Sequence, residues 1–210
     1  MRVLLLSAGI VLLDQITKLL VKGFSMFGIT HEGMEYGESI HLIGEWLNIT
    51  YIENPNMAFG LEFGGKLFLS IFAIVAAIGI VIYLYRHRER PLAFRLSLAF
   101  IVAGAIGNLI DRTFYGALYH AAPFFEGNVV DFIDFDLFVI HFGQNAFKFW
   151  PIFNVADMAV SIGVVLLLFT NRGEVESEEQ SESIETQPGT PLTETNVPAS
   201  DSTNPLVQSD

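Results

Sequence analysis

The chain contains no cysteine among its 210 residues. A disulfide framework, a thiolate metal site and a cysteine nucleophile are therefore excluded. It also lacks a Gly-x-Ser-x-Gly elbow and a His-Glu-x-x-His motif, so neither a serine-hydrolase nor a zincin site is indicated. The five histidines show no i, i+4 spacing, and we expect no bound metal and no cofactor.

Positive charge is scarce. Eleven Lys and Arg face 23 Asp and Glu, giving a net charge of −12, and we expect no nucleic-acid partner. The imbalance is concentrated in residues 172–210, which hold nine acids and one Arg. Because that stretch is otherwise rich in Ser, Thr, Pro and Gln, residues 173–210 are predicted to form a disordered, acidic, cytoplasmic tail.

Long hydrophobic runs dominate the rest of the chain. Hydrophobic residues make up 51% of the sequence, and the mean hydropathy is +0.46, which is typical of an integral membrane protein. Four runs approach the roughly 20 residues that cross a bilayer core, and helices satisfy backbone polar groups in lipid. We predict a mainly α fold with four transmembrane helices, at about 3–21, 67–85, 92–110 and 152–169. The first is interpreted as a retained helix rather than a signal peptide, because no small-residue cleavage site is evident.

Basic residues predict the orientation of these helices. Arg86, Arg88 and Arg90 lie in the short loop between the second and third helices, and Arg95 follows. The positive-inside rule puts this loop in the cytoplasm, together with both termini. The longer loops, 22–66 and 111–151, are then outside. Residues 42–53 are rich in strand formers and predict a small extracytoplasmic β-sheet, whereas the aromatics of the second loop predict an interfacial belt.

Asp157 is the most informative polar residue. We expect it about a turn and a half inside the membrane boundary, where an Asp costs roughly 2.5 to 3.5 kcal/mol and so indicates function. A second acid, Asp131, belongs to the same outer face, although spacing alone does not bring the two together. Two carboxylates in a poorly solvated site share one proton, so that one activates water and the other protonates the substrate.

Other polar residues collect at the outer ends of the helices. Several of them also have structural interpretations. Asp14 and Lys18 can form an ion pair, and Arg112 can be a snorkelling side chain. Asn108 and Asn154 can link helices by hydrogen bonds. Asp134 and Asp136 are interpreted as solvated loop residues. The polar residues fall into five motifs in chain order: Asp14-Gln15-Ile16-Thr17-Lys18; Asn54 through Ala58-Phe59-Gly60; Gly104-Ala105-Ile106-Gly107-Asn108-Leu109-Ile110-Asp111-Arg112; Val129-Val130-Asp131-Phe132; and Phe153-Asn154-Val155-Ala156-Asp157.

In this order, the five motifs resemble those of the lipoprotein signal peptidases, or signal peptidase II family. The resemblance implies that residues 1–172 form a membrane peptidase domain with a β-cradle, in which Asp131 and Asp157 are the catalytic dyad of an aspartic endopeptidase. It further implies that seven residues bind substrate or brace the site: Asp14, Lys18, Asn54, Asn108, Asp111, Arg112 and Asn154. Asn56 departs from the usual family Gly, and loop 113–128 looks longer than is typical.

The implied substrate is a prolipoprotein whose cysteine carries diacylglycerol, cut on the amino side of that cysteine. The implied location is the bacterial cytoplasmic (inner) membrane, with the site near its outer face. Membrane lipid is the other expected partner, and a monomer is expected. The residues also allow a small proton-coupled transporter, since intramembrane acids mark ion pathways, or an assembly factor whose polar cluster binds helices.

Overall fold

Four apolar segments of the chain form long helices. The computed structural model describes residues 2–26, 28–44, 46–55, 65–136, 139–142, 145–148 and 151–185, with the backbone alone for 139–142, 145–148 and 171–185. The long helices are α1 (Val3–Lys22), α2 (Gly65–Arg86), α3 (Leu92–Ile110) and α5 (Val155–Glu185), with the short turn α4 (Gly116–Leu118) before α5. Two compact units divide after Gly173.

Three helical stretches of the described chain are long and apolar enough to cross a membrane: Val3–Lys22, Gly65–Arg86 and Leu92–Leu118. The apolar part of α5, Val155–Thr170, is shorter. These helices confirm the predicted mainly α, integral membrane fold.

Helix α3 has the predicted bounds, 92–110, whereas both ends of α5 differ from the predicted 152–169. Helix α5 begins at Val155, so Asp157 lies in its first turn rather than a turn and a half inside. The helix runs to Glu185 and so enters the segment predicted to be disordered; residues 186–210 lie outside the described part. Beyond α3, residues Asp111–Tyr115 form a π-helical turn, an arrangement frequent at functional sites.

Short antiparallel sheets form in the two predicted outer loops. In the first loop, β1 (Gly23–Met26) pairs with β2 (Ile29–Glu32). The central sheet has the order β3 (Ser39–Ile43), β4 (Leu47–Asn54) and β5 (Val129–Phe135), which confirms a sheet over residues 42–53. A third pair is β6 (Val139–Phe142) with β7 (Asn145–Lys148). The second loop, 111–151, whose aromatic residues predicted an interfacial belt, therefore also contains the strands β5, β6 and β7.

The central sheet packs on the helices through one of its faces. Val130 and Phe132 of β5 are buried against Val21, Tyr51 and Tyr115. Successive side chains of a strand point to opposite faces, so Asp131 points away from this cluster. The sheet therefore presents Asp131 on the face opposite its apolar contacts.

Small residues let α3 and α5 approach closely. A side chain on Gly104 would collide with the Ala156 carbonyl and lie 2.5 Å from Val160 Cγ2, and one on Gly107 would lie 3.0 Å from the Ala156 side chain. The partner of Gly104 and Gly107 in this close approach is the start of α5. The glycines set how near α5 comes to α3.

We predict that Gly104→Ala lowers the thermal stability of the protein, because overpacking a tight contact costs about 1–3 kcal/mol. The control is Gly79→Ala in α2, where an added Cβ meets nothing within 4 Å. Thermal unfolding of the purified protein in detergent measures both. Equal midpoints for the two variants would contradict the close approach of α3 and α5.

Candidate active site

Asp157 is placed by the start of α5. The Asn154 side-chain oxygen accepts a hydrogen bond from the Asp157 backbone N–H at 3.0 Å, and Asp157 Oδ2 accepts one from the Asn154 backbone N–H at 3.2 Å. This reciprocal pair is a capping box, which satisfies amides that a helix start leaves without partners. Asn108 Nδ2 donates to the other Asp157 oxygen at 2.8 Å. The carboxylate is therefore fixed by α5 and α3 together.

Asp131 lies near the middle of β5 and is buried. Asn154 Nδ2 donates to Asp131 Oδ1 at 2.6 Å, and Asn54 Nδ2 donates to Oδ2 at 3.1 Å. Asn54 is the last residue of β4, the neighbouring strand. Both oxygens of the Asp131 carboxyl group therefore have amide partners from different elements.

Asn154 and Asn108 connect the two acids. Asn154 Nδ2 also donates to Asn108 Oδ1 at 3.1 Å, and Asn108 in turn donates to Asp157. A hydrogen-bonded path therefore runs from Asp131 through both Asn side chains to Asp157. The path explains why two carboxamides stand beside the acids.

Lys18 forms a buried ion cluster beneath these amides. Its Nζ lies 2.9 Å from Asp14 Oδ2 and 2.7 Å from Asp111 Oδ2, and all three side chains are 0% exposed. Lys18 Nζ also donates to Asn108 Oδ1 at 2.9 Å. Two carboxylates around one ammonium, with further hydrogen bonds, are the arrangement that a buried charge requires.

The two carboxylates of this cluster also hold backbone amides next to the candidate acids. Asp14 Oδ1 accepts from the Ala156 N–H at 2.9 Å, and Asp111 Oδ2 accepts from the Val130 N–H at 3.2 Å. Ala156 immediately precedes Asp157, and Val130 immediately precedes Asp131. The ion cluster thus fixes the backbone at both acids.

The electrostatic environment of Asp131 favours its protonated form. Burial, and next the charge of Asp157, raise the pKa of Asp131 to about 7, although hydrogen bonds from Asn54 and Asn154 oppose the shift. Arg112, in the π-helical turn, interacts electrostatically with Asp111, Asp157 and Asp131. The site therefore combines two interacting carboxyl groups with a nearby guanidinium. Among the described residues, no three His, Asp or Glu side chains are grouped as a metal site requires.

Comparisons with known proteins agree with these motifs. The family model described as "Signal peptidase (SPase) II" matches residues 6–171. The chain belongs to the signal peptidase II family. A lipoprotein signal peptidase of Porphyromonas gingivalis is 39% identical, with 77% of this chain and 80% of that protein covered. One from Brevibacillus brevis is 40% identical, with coverage of 78% and 90%.

The fold is likewise similar to solved structures. A structure described as a bacterial membrane enzyme, determined by the in meso method at 2.3 Å, aligns with a TM-score of 0.63 and 29% identity, covering 84% of this chain and 90% of that one. A second, at 1.9 Å, gives 0.61 and 30%, with coverage of 80% and 91%. Membership in the signal peptidase II family decides for a membrane peptidase over the transporter that the residues alone left open.

The structure brings most of the predicted site residues of this signal peptidase II chain into one network. Direct hydrogen bonds or ion pairs join eight of them, and Arg112 interacts with three of these electrostatically. The eight are Asp14, Lys18, Asn54, Asn108, Asp111, Asp131, Asn154 and Asp157. Residues 58–60 of the second motif, and Asn56, lie outside the described residues.

Two polar residues near this network were misjudged or missed from sequence. Gln15 was not singled out, yet its Nε2 donates to Asp14 at 3.1 Å and to Asp111 at 2.9 Å. Asp134, interpreted as solvated, is 1% exposed and accepts a hydrogen bond from Thr50 at 2.8 Å. The solvated interpretation was wrong because β5 pairs Asp134 with β4, a contact that loop composition does not reveal. The role of Gln15 could have been predicted from the sequence, because it lies between Asp14 and Lys18 in the first motif.

We predict that Lys18→Met strongly destabilises the protein. Removing one partner leaves two buried carboxylates unpaired, which costs about 3–5 kcal/mol. The control is Thr17→Val, since in the described part of the chain the Thr17 hydroxyl donates to the backbone oxygens of Leu13 and Asp14 within α1. Thermal unfolding in detergent compares the two; a Lys18→Met variant as stable as Thr17→Val would contradict the role of the ion cluster.

A second prediction concerns pH. Because the pKa of Asp131 is raised to about 7 in the folded protein, the fold binds a proton that the unfolded chain has lost between about pH 4 and pH 7. The free energy of unfolding therefore falls as pH rises through this window. Asp131→Asn removes this contribution, so it should stabilise the protein at pH 8 by roughly 1 kcal/mol or more, since one pKa unit is worth about 1.4 kcal/mol.

Thermal unfolding between pH 5 and pH 8 measures this difference. The gap in midpoint between Asp131→Asn and the unchanged protein should widen as pH rises. Asp157→Asn, which removes the neighbouring charge, should shift the fall in stability to lower pH. Parallel curves for all three proteins would show that Asp131 has an ordinary pKa.

Proposed function

We propose that this chain is an aspartic endopeptidase with Asp131 and Asp157 as its catalytic dyad. The observation that carries the proposal is the interaction of the two carboxyl groups. Both accept hydrogen bonds from Asn154, Asp131 from its side chain and Asp157 from its backbone N–H, and the charge of Asp157 acts on the pKa of Asp131. Interacting carboxyl groups that hold one proton between them can act as acid and base in the same step. Membership in the signal peptidase II family supports the same assignment.

The environments of the two acids assign their roles. Asp157 accepts hydrogen bonds from the Asn154 backbone amide and from Asn108 at the N-terminus of α5, where the helix dipole attracts a carboxylate. Asp131 has a raised pKa and keeps the proton. Asp157 takes a proton from water as the water oxygen attacks the scissile carbonyl carbon, while Asp131 donates its proton to the carbonyl oxygen. When the C–N bond breaks, the leaving nitrogen takes the proton held by Asp157. One hydroxyl group of the intermediate returns its proton to Asp131 as the new carboxyl group forms.

Arg112 and the Asn residues act around this step. The guanidinium of Arg112 offsets the negative charge of the acids and of the oxygen that develops charge during attack. Asn54 and Asn154 hold the Asp131 carboxyl group in place. Positioning of this kind lowers the barrier without any covalent intermediate.

The proposed substrate is a prolipoprotein that carries diacylglycerol on its cysteine, cut on the amino side of that cysteine. The relatives are named lipoprotein signal peptidases, and the long helices expose apolar side chains such as Leu13, Val75 and Leu168 along which acyl chains can lie. Because acyl chains and a signal helix supply much of the binding energy, contacts near the scissile bond can be few.

The proposed topology places both termini in the cytoplasm and the site near the outer face of the bacterial inner membrane. The Arg-rich loop between α2 and α3 lies at the opposite end of these helices from Asp111 and the sheet. A monomer is sufficient for the proposed reaction, since one chain supplies both acids and their partners.

We predict that Asp131→Asn and Asp157→Asn each reduce cleavage of a diacylglyceryl-modified lipobox peptide by at least about a hundredfold, the lower range for loss of general acid–base catalysis. The measurement is product formation by the purified full chain in detergent. Mass determination of the products identifies the cleaved bond, and the same peptide without diacylglycerol should be cut far more slowly.

The matched control is Asp134→Asn. Asp134 is a buried carboxylate on the same strand, three residues from Asp131, and its described hydrogen bond is with Thr50. It should retain most of the activity. Full cleavage by either Asp131→Asn or Asp157→Asn removes that residue from the dyad, and equal loss in Asp134→Asn would mean that any buried Asp of the strand is needed for folding.

A further inference from the structure

A cavity of about 60 Å³ lies outside the network around Asp131 and Asp157. It is enclosed by the end of α1, the first turn of α2, and the segment 115–128 that joins the π-helical turn to β5. Two lysines line it, Lys22 and Lys66, together with Glu53 and Asn128. None of these residues belongs to the proposed catalytic machinery.

The cavity and the candidate active site occupy opposite faces of one sheet. Glu53 pairs across the sheet with Val130, whereas Ile52 pairs with Asp131. Side chains directly opposite each other in an antiparallel pair share a face, and successive residues alternate between faces. Glu53 therefore faces the cavity, and Asp131 faces away from it.

The ammonium group of Lys22 is held in a fixed position. It pairs with Glu53 and donates to the Tyr51 hydroxyl at 3.1 Å, and it lies 4.3 Å from the centre of the Tyr119 ring. Burial raises the pKa of Glu53, but hydrogen bonds from Lys22 and Tyr51 outweigh it and keep that pKa below its ordinary value. Glu53 therefore stays ionised beside the Lys22 ammonium group.

Lys66 is held differently. Its Nζ donates to the neutral amide oxygen of Asn128 at 2.7 Å, and Asn128 Nδ2 donates to Glu53 Oε2 at 3.1 Å. One half-buried carboxylate thus serves both lysines, directly or through an amide. The other acid of the wall, Glu126, is exposed to water, where its charge is screened. Within the described part of the wall, two ammonium groups, of Lys22 and Lys66, therefore share one partly buried carboxylate, that of Glu53.

Exposed apolar side chains lie close in sequence to the residues that line the cavity. Phe124 is 59% exposed, Leu118 53% and Leu67 50%. Leu67 lies in the first turn of α2, next to Lys66, and the other two lie on the segment that encloses the cavity. Lysines beside exposed apolar surface at the end of a membrane helix are suited to a lipid headgroup with its acyl chains.

The size of the cavity restricts the group that enters it. A water molecule needs roughly 10–15 Å³ of such space, so the cavity of about 60 Å³ has room for a few waters. An acyl chain does not fit, but a compact charged group such as phosphate can approach both ammonium groups. Lysine binds phosphate as a point charge with three donors.

We propose that this cavity binds the phosphate group of a membrane phospholipid. Lys22 and Lys66 contact the phosphate oxygens, and the acyl chains lie along Leu67, Leu118 and Phe124. The bound lipid joins α1, α2 and the segment leading to β5, because Asn128 directly precedes that strand.

The test measures lipid binding to the purified full chain in detergent by native mass spectrometry. The probes are dioleoyl phosphatidylglycerol and dioleoylglycerol, which share their acyl chains and differ in the phosphate headgroup. Lys66→Gln should weaken binding of the phospholipid about fivefold, the effect of one lysine near an anionic group. Lys66→Glu should weaken it further. The control, Arg88→Gln, removes an exposed cation from the loop at the other end of α2 and should leave binding unchanged.

Three results would overturn the proposal. Equal binding of dioleoylglycerol and the phospholipid would assign the interaction to acyl chains alone. Equal phospholipid affinity in the unchanged protein, Lys66→Gln and Lys66→Glu would remove the lysine contact. Displacement of the lipid by an equal concentration of inorganic phosphate would assign the cavity to a free anion. Unfolding midpoints of all variants report folding, and because lipid binding is read without cleavage, its outcome is independent of the dyad.

Discussion

The site depends on the ion pairs that the buried ammonium group of Lys18 forms with Asp14 and Asp111. A charge with no exposure inside a membrane protein costs several kcal/mol unless carboxylates surround it. Asp14 and Asp111 meet that requirement, and each has a second contact, with the backbone N–H of Ala156 or Val130. The same electrostatic cluster that stabilises α1 against α3 therefore sets the positions of the first turn of α5 and of β5.

This arrangement explains why the polar residues collect at the same end of the helices. Asp14 and Asp111 do not serve Lys18 alone. Each also accepts a hydrogen bond from the backbone amide one residue before a proposed catalytic acid. The close approach at Gly104 and Gly107 permits this geometry, since a side chain at either position would push α5 away from α3. Packing and electrostatics thus act on the same contact.

Much of the helical frame and the set of polar residues could be predicted from sequence, because membrane helices are long and intramembrane acids are rare. The capping box at Asn154 and Asp157 was also readable, from their three-residue spacing before an apolar run. The bonds from Asp14 to Ala156 and from Asp111 to Val130 were not, since they join residues 142 and 19 positions apart. Asp134 shows the same limit: its burial follows from pairing with β4, which spacing within a loop does not specify.

The environments of the two acids differ for reasons that lie in secondary structure. A carboxylate in the first turn of a helix faces backbone N–H groups and the positive end of the helix dipole, so Asp157 is suited to carry charge. A carboxyl group inside a sheet has no such field. Among the described residues, Asn54 and Asn154 donate side-chain amide hydrogens to Asp131, and its burial and the charge of Asp157 outweigh these bonds. Placing Asp157 at the start of a helix and Asp131 on a neighbouring strand therefore gives the two carboxyl groups different electrostatic environments. In the proposed mechanism, this asymmetry keeps the proton on the strand and the negative charge on the helix before substrate arrives.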